Sequence, residues 1–280
     1  LKKRKNNDIL HVMTPATKYS QSVKSGLELP WWLTHAMAPV NENFEDRVVD
    51  LPQHSQWRAT QLPGMGLRVL EYIPGVNPRL TAQLRLEPAL SPAHLGDNPD
   101  LEILMQRGEL ESLAGVYPAG LYLRLPVTGD EQLQSLTLKC SKDLNTSGSN
   151  PIETEQPALL YLAAGQMLIS DSEQRRINTR EESRWLPGPA KCTEVLPLHG
   201  HGTGNVMLIR WTQTATFKPG LDPMGEEVLV LTGVLHDADG QYPAGSWIRN
   251  PVKAWQTWTA SAGTVVYYKN GHFPTINTDS

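Results

Sequence analysis

The chain has 280 residues, with 25 Lys and Arg against 29 Asp and Glu, which is enough for one large or two medium domains. A formal net charge of −4 gives no electrostatic case for nucleic acid. No apolar run approaches membrane-spanning length, and the 22 Pro and 22 Gly favour turns and β-structure.

In chain order, Lys2, Lys3, Arg4 and Lys5 form a basic cluster with no apolar h-region after it. It therefore reads as a lead-in upstream of Met13 rather than as a signal peptide. Paired Trp31 and Trp32 follow Pro30 and are expected to pack on the body of the protein or on a partner subunit. Residues 1–42 are read as an N-terminal extension and 43–142 as the first β-unit, opening at Val48–Leu51 and Trp57. Leu67–Ile73, Leu84–Leu86 and Leu121–Leu125 supply its strands. The polar, small-residue stretch after Asp143 predicts a linker over 143–158. A second unit then occupies 159–280, opening with Leu159–Ala164 and followed by a charged exposed loop, Ser170–Arg184. Cys140 and Cys192 have no metal-ligand spacing and suit a reduced, cytoplasmic protein.

The two units are copies. Leu104, Gly108, Leu110, Gly115, Tyr117, Pro118, Ala119, Gly120, Arg124 and Pro126 recur 125 residues later. Their counterparts are Leu229, Gly233, Leu235, Gly240, Tyr242, Pro243, Ala244, Gly245, Arg249 and Pro251. Arg85/Arg210 and Asp97/Asp222 extend the same register. One turn motif can match by chance; this many in one register marks an internal duplication.

Gly225, Glu226 and Glu227, an apolar strand, Gly233, Asp237 and then Tyr242-Pro243-Ala244-Gly245 with Arg249 and Pro251 resemble the cupin domain of ChrR-type proteins. That group includes the C-terminal half of ChrR anti-sigma factors and stand-alone double cupins, and it is similar to acetylacetone-cleaving dioxygenases. The resemblance covers roughly residues 50–140 and 185–273. It implies an all-β bicupin: two tandem jelly-roll (double-stranded β-helix) barrels.

In that family a metal is held by His-x-His-x-x-x-Glu and a later His. Carried over, those positions are Gly220, Asp222, Glu226 and Gln256 in the second copy, so every histidine is missing. In the first copy they are Leu95, Asp97, Leu101 and Glu131. Asp222, Glu226 and Gln256 would hold at most a hard, oxygen-preferring divalent cation, and weakly. The bland alternative is a polar, hydrated barrel interior. His94, Asp97, Glu102 and Glu131 can be assembled into a first-copy site on paper, but His94 is one residue off the family position.

Trp247 and Arg249 alternate with Ile248, so they share a face. If that face is interior, they join Asp222, Glu226 and Gln256 in a pocket for a small polar molecule. If it is exterior, Ile248 lines the pocket instead. The first copy keeps Tyr122 and Arg124 at the same positions, which suits a barrel-building role equally well. His199 and His201 are flanked by glycines and read as a loop tip rather than a metal pair, and His236 and His272 read as solvated. The first 50 residues hold no cysteine, so a zinc-dependent anti-sigma module is not supported there.

The expectation is a non-catalytic, small-ligand-binding or regulatory bicupin with eroded metal sites and no cofactor beyond a weak divalent metal. The alternative is a metal-dependent cupin dioxygenase. The two barrels should pack against each other; a homodimer is compatible with the sequence, which does not require one.

Overall fold

The computed structural model describes residues 37–75, 78–88, 93–97, 100–112, 115–126, 135–140, 157–168, 170–218, 224–254 and 256–273. Trp31 and Trp32 lie outside them.

The chain folds as antiparallel strands. After β1 (Val48–Asp50) come β2 (Arg58–Ala59), β3 (Met65–Ile73), β4 (Arg79–Leu86), β5 (Ala93–Asp97) and β6 (Leu101–Arg107). Next are β7 (Glu109–Ser112), β8 (Gly115–Pro118), β9 (Leu121–Leu125), β10 (Ser135–Cys140), β11 (Ala158–Ala164) and β12 (Arg175–Asn178). The later half supplies β13 (Leu186–Pro187), β14 (Thr193–His201), β15 (Gly204–Trp211), β16 (Ala215–Phe217) and β17 (Met224–Thr232). It continues with β18 (Val234–His236), β19 (Gln241–Pro243), β20 (Trp247–Val252), β21 (Trp258–Ala260) and β22 (Val265–Asn270).

These make two barrels, each a seven-stranded sheet facing a four-stranded one. The large sheets run β12-β9-β6-β11-β4-β3-β2 and β1-β20-β17-β22-β15-β14-β13, which match strand for strand. The small sheets, β5-β10-β7-β8 and β16-β21-β18-β19, match as well. The duplication persists in the hydrogen bonds. Gly120 N–H donates to Met105 O at 2.7 Å and Ala119 N–H to Gly108 O at 2.8 Å. Gly245 to Val230 and Ala244 to Gly233 repeat them at 2.7 and 3.0 Å. Gly108 and Gly233 have φ of 73° and 76°, where a side chain is strained.

Three sequence expectations change. The stretch read as a linker joins β10 to β11, two strands of the first barrel, so the first barrel runs past it to Ala164. A long polar insertion inside a barrel has the same composition as an interdomain linker, so composition does not tell the two apart. Leu159–Ala164 does not open the second unit: β11 lies between β4 and β6, and it is buried on both faces except at Leu159. The edge strands are also exchanged. Val48–Asp50 pairs with β20 of the second barrel, while Arg175–Asn178, expected as loop, pairs with β9 of the first.

Alternation within each large sheet gives it two apolar faces. One face fills its own barrel: Leu80, Leu84, Leu101, Leu123 and Leu160 in the first, and Ile209, Val228, Ile248, Val266 and Tyr268 in the second. The other face meets the other barrel, where Leu70, Leu104, Tyr122 and Tyr161 pack against Leu196, Leu208, Leu229, Trp247 and Tyr267. Trp247 and Arg249 therefore point between the barrels, and Ile248 points into the second barrel. They do not line a barrel pocket, so the interior alternative for this face is corrected. Both are fully buried at 0% exposure. The Arg249 guanidinium bonds the Glu71 carboxylate and donates to the carbonyls of Asn41 and Asn43 at 2.6 and 2.7 Å.

Arg249 and Glu71 are both dry, and although Arg79 also holds Glu71, removing Arg249 leaves Glu71 Oε2 and the Asn41 and Asn43 carbonyls without their donor. Arg249→Ala is expected to cost about 3–5 kcal/mol in urea denaturation. A loss under about 1 kcal/mol, the range of surface pairs, would show the pair is solvated.

Candidate functional site: a polar rung inside the second barrel

At one end of the first barrel, Leu125, Leu101, Ala164, Leu80 and Tyr72 lie side by side across five neighbouring strands. All five side chains belong to the apolar core. The same level of the second barrel reads Asn250, Glu226, Asn270, Asn205 and Gly200. Each polar residue sits two positions from an inward-facing one: Glu226 from Val228, Asn250 from Ile248, Asn270 from Tyr268. The two barrels thus share an architecture and differ in the chemistry of one interior rung.

Glu226 is the centre of that rung and 6% exposed. Its Oε1 accepts from Asn250 Nδ2 at 2.7 Å and from Trp258 Nε1 at 3.1 Å. Its Oε2 has no hydrogen-bond partner, nor do Asn250 Oδ1 and Asn270 Oδ1, all of them buried. The Tyr268 hydroxyl stands near both Glu226 and Asn270. Burial pushes the Glu226 carboxyl above its usual range, against the pull of these neutral donors. Burial, with Glu226 beside it, also pushes Tyr268 well above the ordinary tyrosine value.

Of the residues read from the sequence, Glu226 is in this site, Gln256 is half-buried and Asp222 lies outside the described residues. Asn250, Asn270 and Asn205 are additions that the structure makes. The contrast of Leu125 with Asn250 and Leu101 with Glu226 was readable at the constant spacing. Asn270 was not, because the insertion before β11 breaks the register of the repeat. The first-copy set does not assemble around the family position: Glu102 faces the second barrel and Glu131 lies outside the described residues.

Two histidine expectations are corrected. β14 continues to His201, with a register shift between Pro197 and His199, so His199 sits on a strand rather than at a loop tip. The shift sends its side chain into the seam between the barrels, where Nε2 lies 2.8 Å from Asp171 Oδ2. Arg124 holds the same carboxylate at 2.5 Å. His201 meets the Ser170 hydroxyl at 3.1 Å from Nε2. His272, expected in solvent, has a side chain only 6% exposed and lies 2.8 Å from Glu227 Oε1.

The seam gathers further buried charge. Glu227 also accepts from Arg79 at 3.1 Å and Tyr161 at 3.2 Å. Glu102 accepts from Tyr122, Tyr267 and Lys269 at 2.8, 2.6 and 2.8 Å. Glu102 and Glu227 are repeat equivalents, each bonded by a tyrosine and a cation from the opposite barrel. These carboxylates are structural, since their lone pairs are spent across the seam.

A transition metal of the cupin type needs imidazoles converging on one point. The rung offers one carboxylate and amide oxygens, and Gly220, Asp222 and Gln256 stand where the family has histidine. Among the described residues no group of three or more His, Cys, Asp or Glu has metal-holding geometry. The residues present do not fit that metal.

With the geometry in view, comparisons locate the fold. Residues 173–274 match the family model of the ChrR Cupin-like domain. No curated protein matches the chain in sequence. Among solved structures, a protein described as glyoxylate-induced from Pseudomonas aeruginosa is similar at 12% identity and TM-score 0.59, covering 94% of this chain and all of that one. Protein Ylba from E. coli is similar at 12% identity and TM-score 0.57, over 84% of this chain and 94% of its own. A protein described as a dioxygenase from Nostoc punctiforme is similar at 13% identity and TM-score 0.55, over 84% and 86%. At such identities the likeness establishes the two-barrel cupin fold. No helix among the described residues is long and apolar enough to cross a membrane.

Burial, with Lys269 and Arg79 nearby, lowers His272 to about 4 despite Glu227 beside it. The unfolded chain, whose histidine titrates near 6.5, then binds a proton that the folded chain refuses, so stability falls as pH drops from about 6.5 toward 4. The loss from this one proton is expected to reach up to about 1.4 kcal/mol per pH unit. His272→Gln should flatten the fall of Tm between pH 6.5 and 4.5. An unchanged slope would remove His272 from the acid response.

Proposed function

We propose that the protein is a non-catalytic, small-molecule-binding double cupin in which the second barrel holds the ligand on the Asn250–Glu226–Asn270 rung. The first barrel, apolar at the same level, serves as a structural mate. The observation that carries this reading is the contrast between the rungs. A barrel of this design is filled by leucines without difficulty, as Leu101 and Leu125 demonstrate at 2% and 3% exposure. Three buried oxygens left without partners in the second barrel are therefore not required by the architecture. Such groups cost about 1–3 kcal/mol each when dry, so they call for a partner that the apolar rung of the first barrel does not need.

A dioxygenase reading has less support, because the rung supplies no imidazole and a single carboxylate. The ChrR likeness favours a sensing or regulatory output. The half-buried free thiol of Cys192 suits a reducing cytoplasm.

The test is to install the first barrel's rung in the second. The variant E226L/N250L is expected to stay folded, with Tm within about 5 °C of wild type, since apolar burial offsets the lost hydrogen bonds. Thermal shifts against a panel of amines, carboxylates, polyols and sugars should give hits with wild type that vanish in the variant. Identical hits in both proteins would refute the rung as the binding site. Unfolding of the variant would mark the rung as structural.

A further inference from the structure

We propose that the ligand of the second barrel carries an organic ammonium group, a primary amine being the simplest case. This inference rests on the rung as ligand site and specifies what the rung recognises.

Charge is the first argument. Elsewhere each buried carboxylate just described touches a cation: Glu71 has Arg79 and Arg249, Glu102 has Lys269, Glu227 has Arg79, and Asp171 has Arg124. Glu226 touches only neutral donors, Asn250 and Trp258, with the neutral Tyr268 hydroxyl nearby. Arg47, whose charge reaches Glu226 from a distance, is committed to Asp237 and Asp239. A carboxylate 6% exposed with no cation in contact is therefore, among the described residues, where a single positive charge in this barrel gains most.

Hydrogen-bond sense is the second. The buried unpartnered atoms on the rung are Glu226 Oε2, Asn250 Oδ1 and Asn270 Oδ1, and all are acceptors. The orientation of Asn250 follows from chemistry: its Nδ2 donates to Glu226 Oε1, which turns Oδ1 away from that carboxylate. The missing partner must therefore donate. An alkylammonium presents three N–H donors and one positive charge, matching three acceptors of which one is anionic.

The walls supply the third argument. Trp258 and Tyr268 border Glu226, and aromatic rings favour an organic cation beside them. Hard divalent metals are matched less well. Calcium takes 6–8 oxygens and magnesium retains ordered waters, whereas one carboxylate and two amides would leave a divalent ion net positive in a dry site.

Full-length wild type, E226Q and E226L/N250L would be titrated with methylammonium and ethylammonium chloride at constant ionic strength. Tm and calorimetric heat would be read, with tetramethylammonium, KCl, CaCl2 and MgCl2 as parallel arms. Saturable stabilisation by methylammonium is expected, weakened at least tenfold in E226Q and absent in E226L/N250L. Tetramethylammonium, which has no N–H, should not replace it. Equal binding of tetramethylammonium would overturn the donor argument. Tighter, rung-dependent binding of potassium, calcium or magnesium would assign the site to a metal and overturn the proposal. Should a neutral or anionic compound bind rung-dependently while amines do not, the ammonium inference fails and the ligand site stands. If no panel member depends on the rung, both fail together.

Discussion

The structure depends on a buried electrostatic seam. Two seven-stranded sheets meet back to back, and each carries a glutamate at the same place in its repeat. On an isolated barrel Glu102 and Glu227 would stand in water on an outer face; burying them between the sheets makes compensation obligatory. Each is neutralised across the seam, Glu102 by Lys269 and Glu227 by Arg79, with Tyr267 and Tyr161 donating as well. The tyrosine rings themselves meet at 4.9 Å. Apolar burial drives the association, while charge pairing fixes which sheet faces which and in what register. Burial opposes the ionised form, yet Lys269 and the donors around Glu102 hold its carboxyl below the usual range.

With the seam consuming the charges on the outer faces, chemistry can differ only inside the barrels. There the copies have diverged at one rung. Alternation makes this separable: on β17, Glu227 serves the seam and Glu226, its neighbour, serves the interior. Adjacent glutamates thus do opposite jobs. One is ionised and held by cations, and the other is pushed up by burial, with only neutral donors in contact with it.

Much of this was legible in residues, and the rest was hidden for physical reasons. The repeat named the duplicated hairpins because turn geometry needs particular residues, glycine at 108 and 233 above all. The inward position of Glu226 followed from family spacing. The face of Arg249 could not be settled, because alternation gives two faces and both of this sheet are buried. His199 and His272 resemble solvated residues because glycine-rich and polar surroundings usually mean loops, whereas here His199 lies within β14 and His272 just past β22, both bonded to buried carboxylates at the seam. Composition alone cannot separate a linker from an insertion, so the first barrel's closing strand was given to the wrong half.

That insertion has a consequence for how the chain can be taken apart. A backbone nick between Cys140 and Ala158 falls at what looks like a hinge between two modules, yet it liberates neither of them. The early fragment would keep β1, which belongs to the later barrel's sheet. The late fragment would keep β11, wedged between β4 and β6 in the middle of the earlier one. The pieces are interlaced like clasped hands, so a protease that cuts there yields a nicked but undissociated molecule.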